Sequence, residues 1–249
     1  MEASSFRKRI AYLREKLDQL SVDTLWILQP ENRRYLSGFK AMDGQLTESS
    51  GSLLITKEES LLVTDSRYTT EAEREAKGFE VVTLKKGFVE GIPSILSRLG
   101  TRTLGFEESH VTWAIHHELA RTLRKLSPPL RLSPLKGLVE NMREVKSSDE
   151  IRAMEASAAL MSRILSEIID TLKPGTTERK VAWKIENLAR EGGAEGLAFP
   201  SIVASGPSSA LPHAVPTDRK IKAREPITLD VGVKLDGYCC DMTRTVFMG

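Results

Sequence analysis

Cysteine is scarce in this chain of 249 residues: the only two are the neighbours Cys239 and Cys240. Adjacent thiols supply no disulfide framework, which argues against a disulfide-stapled secreted protein and for a reducing, cytoplasmic setting. Charge of one sign is lacking too. Lys plus Arg number 36 and Asp plus Glu 34, a net charge of +2. That balance provides no field for nucleic acid or an anionic membrane, and neither is expected as a partner. No apolar run approaches the ~20 residues needed to span a bilayer. The N-terminus has no signal-peptide core; Phe6, Ile10, Leu13, Leu17 and Leu20 recur there at helical spacing instead. Neither standard Gly-rich phosphate loop occurs, and no internal repeat stands out.

What is present suits a soluble globular protein of one or two domains, with 40% hydrophobic residues. Up to about residue 134, short apolar runs alternate with helical patterns. "DTLWILQ", "GSLLIT", "SLLVTD", "FEVVTL" and "RTLGFEE" predict strands; "RYTTEAEREA", "EGIPSILSRL" and "TWAIHHELARTLRKL" predict helices. This is an α/β pattern with a largely buried sheet. His110, His116 and His117 lie here, but the adjacent pair points to different helix faces, so surface or partly buried histidines are the better reading. The Pro-rich "LSPPLRLSPLKG" at 126–137 reads as a linker. The expected division is 1–134 and 135–249. The second unit opens on two helical patterns, the first with capping-box spacing at Ser147 and Glu150 and a Pro174-Gly175 stop. "LAFPSIVAS", "PITLDVGVKL" and "GYCCDMTRTVF" follow as strands.

The last two strands carry a candidate site. In "ITLDVGV" the aliphatic Ile227, Leu229, Val231 and Val233 alternate with Thr228, Asp230 and Gly232. Asp236-Gly237 is a strong two-residue hairpin signal. With that turn, Asp230 faces Thr243 and Gly232 faces Asp241, so the two aspartates are diagonal neighbours on one face. Carboxylates so placed can meet on metal, Thr243 can orient one of them, and Gly232 leaves room between them. On geometry alone the pair reads equally as the polar side of a solvated hairpin. Two carboxylates also cannot complete a dinuclear site. Alternation sends Cys239 and Cys240 to opposite faces and puts Cys240 with Met242 and Val246, as a structural cysteine. Arg244 falls on that aliphatic face too.

His213 lies in "SIVASGPSSALPHAVPTDRKI", between Pro212 and Pro216. Prolines stiffen the backbone on both sides. A loop so held can aim an imidazole for proton transfer, although a surface loop histidine is the better reading from these residues alone.

Together these residues resemble the Xaa-Pro peptidase family, the aminopeptidase P and prolidase group of pita-bread metallopeptidases. "RRYLSGF", "VTDSRYTTEA", "MREVKSSDEI" and "KPGTTERKVAWKIE" match along the chain. The histidine loop and "LDVGVKLDGYCCDMTRTVFMG" are the most specific pieces. Ser208 departs from the family, whose members often carry Asn there. The resemblance implies an α/β creatinase-like N-terminal domain followed by the first half of an α+β pita-bread catalytic domain. It implies that Asp230 and Asp241 are metal ligands and that His213 is the catalytic histidine contacting substrate. Two divalent metal ions are expected, manganese before cobalt, zinc or iron. The implied reaction is hydrolysis of the bond between an N-terminal residue and proline, on proline-containing peptides or dipeptides, by a homodimer. The family's later metal ligands have no counterpart here, so the chain is expected to be a C-terminally truncated fragment, inactive alone. Two rival readings remain. A metal-free creatinase-type hydrolase has no need of both aspartates. A non-catalytic pita-bread protein that binds peptides or partners would retain no metal.

Overall fold

The computed structural model describes residues 3–45, 48–126 and 128–248. The chain forms two compact units, 1–145 and 146–249.

The first unit contains helices α1 (Ala3–Leu20), α2 (Pro30–Ser37), α3 (Thr69–Glu75), α4 (Phe88–Arg98), α5 (Trp113–Leu123) and α6 (Leu138–Glu144). Its strands are β1 (Thr24–Ile27), β2 (Ser52–Thr56), β3 (Ser60–Asp65), β4 (Glu80–Leu84), β5 (Thr103–Glu107) and β6 (Arg131–Leu135). They form one mixed sheet of order β4-β3-β2-β1-β5-β6. Strand β2 runs antiparallel to both neighbours, and the remaining pairs are parallel. Period two assigns the strand side chains to two cores. Leu25 and Ile27 of β1 pack with Ile10, Leu13 and Leu17 of α1 and Val139 of α6. Trp26 and Leu28 turn the other way, toward Ile92, Ile95 and Leu96 of α4 and Leu119 and Leu123 of α5. Each such side chain contributes roughly 1.5–3 kcal/mol by leaving water, which makes a sheet covered on both faces stable. His116 is half-buried against the Phe106 ring, at 5.4 Å between centroids, whereas His117 is exposed.

The expected linker is largely structured. Residues 131–135 form β6, paired in parallel with β5. Pro134 cannot donate a ladder hydrogen bond, but β6 is an edge strand, where that loss is tolerated. Helix α6 then buries Val139, so the first unit runs to Val145 rather than to residue 134.

The second unit opens with helices α7 (Ser148–Thr171) and α8 (Glu178–Glu191), and the Ser147/Glu150 capping box is formed. Leu160, Met161, Ile164, Leu165 and Ile168 of α7 pack with Val181, Ile185 and Ala189 of α8. Strands β7 (Gly196–Leu197), β8 (Ile202–Ser205), β9 (Pro226–Val231), β10 (Val233–Leu235), β11 (Tyr238–Cys239) and β12 (Met242–Phe247) form two three-stranded sheets. Their orders are β11-β10-β7 and β12-β9-β8. Among the described residues no helix is long and apolar enough to cross a membrane.

Candidate metal-binding hairpin and histidine loop

The hairpin turns at Asp236 and Gly237, both with positive φ (49° and 82°), the backbone of a type I′ turn. Its register is the one alternation predicts. Leu235 pairs with Tyr238, Met242 with Val231, and Thr243 with Asp230. The aliphatic side is buried: Ile227, Leu229, Val231 and Val233 all join the core. Cys240 packs partly against it, with its thiol 3.4 Å from the Ser157 carbonyl. Arg244 pairs with Leu229 in the expected register, on the edge strand β12. It is exposed, and its guanidinium donates to the Thr243 carbonyl at 2.8 Å.

One expectation is corrected. The hairpin is not continuous: β9 and β10 break at Gly232, and β11 and β12 break at Cys240 and Asp241. Gly232 does not leave a gap between the aspartates. A Cβ there would lie 2.2 Å from the Cys240 carbonyl oxygen and 2.9 Å from the Phe199 ring. The missing side chain admits a close backbone crossing, and the Gly232 carbonyl accepts from the Ala198 N–H at 2.9 Å.

Asp230 is half-buried on the central strand β9. The Thr243 hydroxyl donates to Asp230 Oδ1 at 2.7 Å, fixing the carboxylate as the sequence pattern anticipates. Among the described residues nothing donates to the other oxygen. Asp241 is exposed on the same hairpin, beside β12. These are hard oxygen donors of the kind divalent cations take. They fit as part of such a site only, since among the described residues no group of three His, Cys, Asp or Glu could hold a metal.

His213 follows the short 3₁₀ segment Gly206–Ala210 and is exposed in a turn; among the described residues no hydrogen bond joins it to either aspartate. The loop carrying it is clamped at both ends by one residue that sequence reasoning missed. Glu178, the first residue of α8, is fully buried. One of its oxygens accepts from the Ser205 N–H and hydroxyl at 2.8 and 2.7 Å. The other accepts from the Thr217 N–H and hydroxyl at 3.1 and 2.7 Å. Burial pushes the Glu178 carboxyl up, but the hydrogen bonds from Thr217 and Ser205 outweigh it and hold the group below its ordinary value. Arg219 adds a second tie, bidentate to Glu225 at 2.6 and 2.7 Å and reaching the Ser205 hydroxyl at 2.5 Å. Arg219 holds the Glu225 carboxyl down at about 2. Gly206 makes room for this pair: its φ is +54°, and a Cβ would fall 2.5 Å from a Glu225 oxygen. The Ser209 hydroxyl ties the 3₁₀ segment to the Ala204 and Pro226 carbonyls at 3.0 and 3.1 Å.

Comparison with known proteins agrees with this architecture. Residues 9–145 match the creatinase/prolidase N-terminal domain, and residues 152–249 match metallopeptidase family M24. The chain is 33% identical over 241 residues to an uncharacterized peptidase of Bacillus subtilis, YqhT, covering 97% of this chain and 65% of the relative. It is 29% identical over 243 residues to the Xaa-Pro dipeptidase of Pyrococcus furiosus, covering 98% of this chain and 65% of the relative. The structure superposes on the Xaa-Pro dipeptidase from Bacillus anthracis with a TM-score of 0.87 at 30% identity, over 98% of this chain and 65% of that one. The chain belongs to the creatinase/prolidase group of the M24 metallopeptidases, with an N-terminal creatinase-like domain and part of a pita-bread domain. It spans about 65% of the length of the curated relatives it matches.

Proposed function

We propose that the complete protein is a metal-dependent peptidase that cleaves the bond between an N-terminal residue and proline in short peptides. The observation that supports this reading is the hairpin, where Thr243 fixes the Asp230 carboxylate on β9 and Asp241 immediately precedes β12. Relatives described as Xaa-Pro dipeptidases support the substrate class. Asp230 and Asp241 would hold divalent ions, manganese first among the candidates. When bound, such ions would supply Lewis acidity and an acidified water.

The chain's own residues have separable tasks. Thr243 restrains the Asp230 carboxylate and leaves its second oxygen for a cation. His213 would donate to the carbonyl oxygen of the bond before proline and stabilise the charge that develops there. Its loop is held at both ends by Glu178, so the imidazole is positioned by a rigid frame. The proline nitrogen has no N–H of its own and must gain a proton on leaving. A donor for that step is not assigned among the described residues.

The test compares Xaa-Pro dipeptide hydrolysis, with added manganese, by the 249-residue chain and by the protein made from its whole reading frame. Turnover is expected only in the latter, because two carboxylates are too few to coordinate two ions. Asp230→Ala in that protein should remove turnover and retained metal together. Undiminished hydrolysis by this variant would overturn the metal assignment.

A further inference from the structure

Glu107 ends strand β5 and is only 7% exposed, a costly place for a charge. Its Oε2 accepts from the Leu28 and Gln29 N–H groups at 2.6 and 2.8 Å, where the chain enters α2. Its Oε1 accepts from Asn32 Nδ2 at 2.7 Å. The same nitrogen donates to Glu140 Oε1 on α6, also at 2.7 Å. One fully buried amide therefore gives both its hydrogens to two carboxylates. The Asn32 oxygen accepts from Arg143, one turn along α6, at 2.8 Å. Among the described residues no Lys or Arg ion-pairs with Glu107 or Glu140.

Two carboxylates on one amide repel, so one of them keeps a proton where a lone glutamate has lost it. The geometry selects the atom. Oε2 of Glu107 already accepts two N–H groups, so a proton fits only on Oε1. Glu107 and Glu140 line one small cavity of about 40 Å³, and an O–H turned away from the Asn32 donor faces Glu140 across it. Burial pushes the Glu107 carboxyl above the ordinary glutamate value, against the pull of its hydrogen bonds, and the Glu140 charge adds to the rise. The other groups facing the site are Arg143 on α6 and His110, which lines the cavity from the loop after β5. On α2, Glu31 is exposed and Arg33 is paired with Asp43.

We infer that Glu107, Asn32 and Glu140 form a proton-dependent latch on α6: one proton held between the two carboxylates seats the helix, and its loss at higher pH loosens the end of the first unit. Helix α6 has seven residues, too few to be stable alone, and it closes the first unit at Val145. Val139 seats it in the core, and the Tyr35 hydroxyl donates to its Met142 carbonyl at 3.2 Å. Glu140 and Arg143 share one helix face, so the Asn32 amide grips α6 at two points. The latch is independent of the metal hairpin and the histidine loop.

The test is carboxyl ¹³C NMR of the 249-residue chain labelled at glutamate Cδ and titrated with pH, with amide exchange of α6 followed in parallel. The Glu107 midpoint should lie above the ordinary 4.5. The folded state then keeps the proton longer than the unfolded chain, so the linked stability is full below 4.5 and is lost as pH rises through that midpoint. Over the same interval the Asn141 to Glu144 amides should lose protection by about threefold or more, after correction for intrinsic exchange, with Leu61 to Val63 of β3 unchanged. Glu140→Gln keeps an acceptor for Asn32 and removes the charge; it should lower the Glu107 midpoint and flatten the pH dependence of α6. His110→Gln removes the third titratable group at the cavity and should leave both effects in place. A Glu107 midpoint at or below 4.5, one that Glu140→Gln does not lower, or a pH dependence of α6 that vanishes in His110→Gln would each overturn the inference.

Discussion

Replacing Glu178 by alanine isolates what holds the histidine loop. The substitution leaves four donors without their acceptor: the N–H and hydroxyl of Ser205 and of Thr217. The two sides differ. Both Ser205 bonds are buried, so water cannot replace the carboxylate, and each stranded donor costs about 1–3 kcal/mol. The Thr217 bonds are partly exposed, and water substitutes there at small cost. Removing the carboxylate also relieves its own desolvation. The net loss is therefore about 2–4 kcal/mol, confined to the loop ends. Amide hydrogen exchange reads this locally. Ser205 and the following 3₁₀ segment should exchange about 30- to 1000-fold faster in the variant, with β1 unchanged. Glu178→Gln keeps one good acceptor and should fall between. The pH dependence has a definite sign. Because the folded carboxyl is held below the ordinary 4.5, its stabilisation is present in full above that value and is lost as pH falls through the lowered one. Glu178→Gln should lack this contribution to the acid limb of a urea-midpoint titration. A rise in Ser205 exchange of less than about tenfold would refute the clamp, as would equal acceleration across β1.

Arg33 is fully buried, ion-paired to Asp43 at 3.1 Å and donating to the Ala41 and Gly51 carbonyls. Arg33→Met strands Asp43 and should cost about 3–5 kcal/mol, read as a loss of thermal stability of the first unit. In Gly232→Ala the new methyl meets the Cys240 carbonyl at 2.2 Å; a loss of about 1–3 kcal/mol is expected, with faster exchange at the Cys240 amide. An unshifted urea midpoint in that variant would mean the crossing is looser than described. Thr243→Val keeps shape but deletes the bond to Asp230 Oδ1. In the protein from the whole reading frame, manganese affinity by calorimetry should fall about 10- to 100-fold, and an unchanged affinity would show that Thr243 does not restrain a metal ligand.

The hairpin was legible in the sequence because every signal that sets it is local. Period two fixes the faces, Asp236-Gly237 fixes the turn, and together they fix the register down to the Thr243–Asp230 pair. The break at Gly232 was not legible. It depends on the Cys240 carbonyl and the Phe199 ring crossing one backbone position, and no pattern of apolar and polar residues encodes that approach. Strand β6 was hidden for a related reason. Its Pro134 reads as a breaker unless the strand is known to lie at an edge, and edge position belongs to the whole sheet. The Glu178 clamp was the least visible feature. It joins residues 27 and 39 positions apart, and polar pairing has no period to betray it. At the start of α8 a glutamate reads as an ordinary first-turn acid, favourable to the helix dipole whether or not it is buried. Local chemistry thus marks which residues can bind metal or move a proton, whereas the polar contacts that aim them have to be read from the fold. The Glu178 variants test that second layer: they leave His213, Asp230 and Asp241 unchanged and alter only the frame around the histidine.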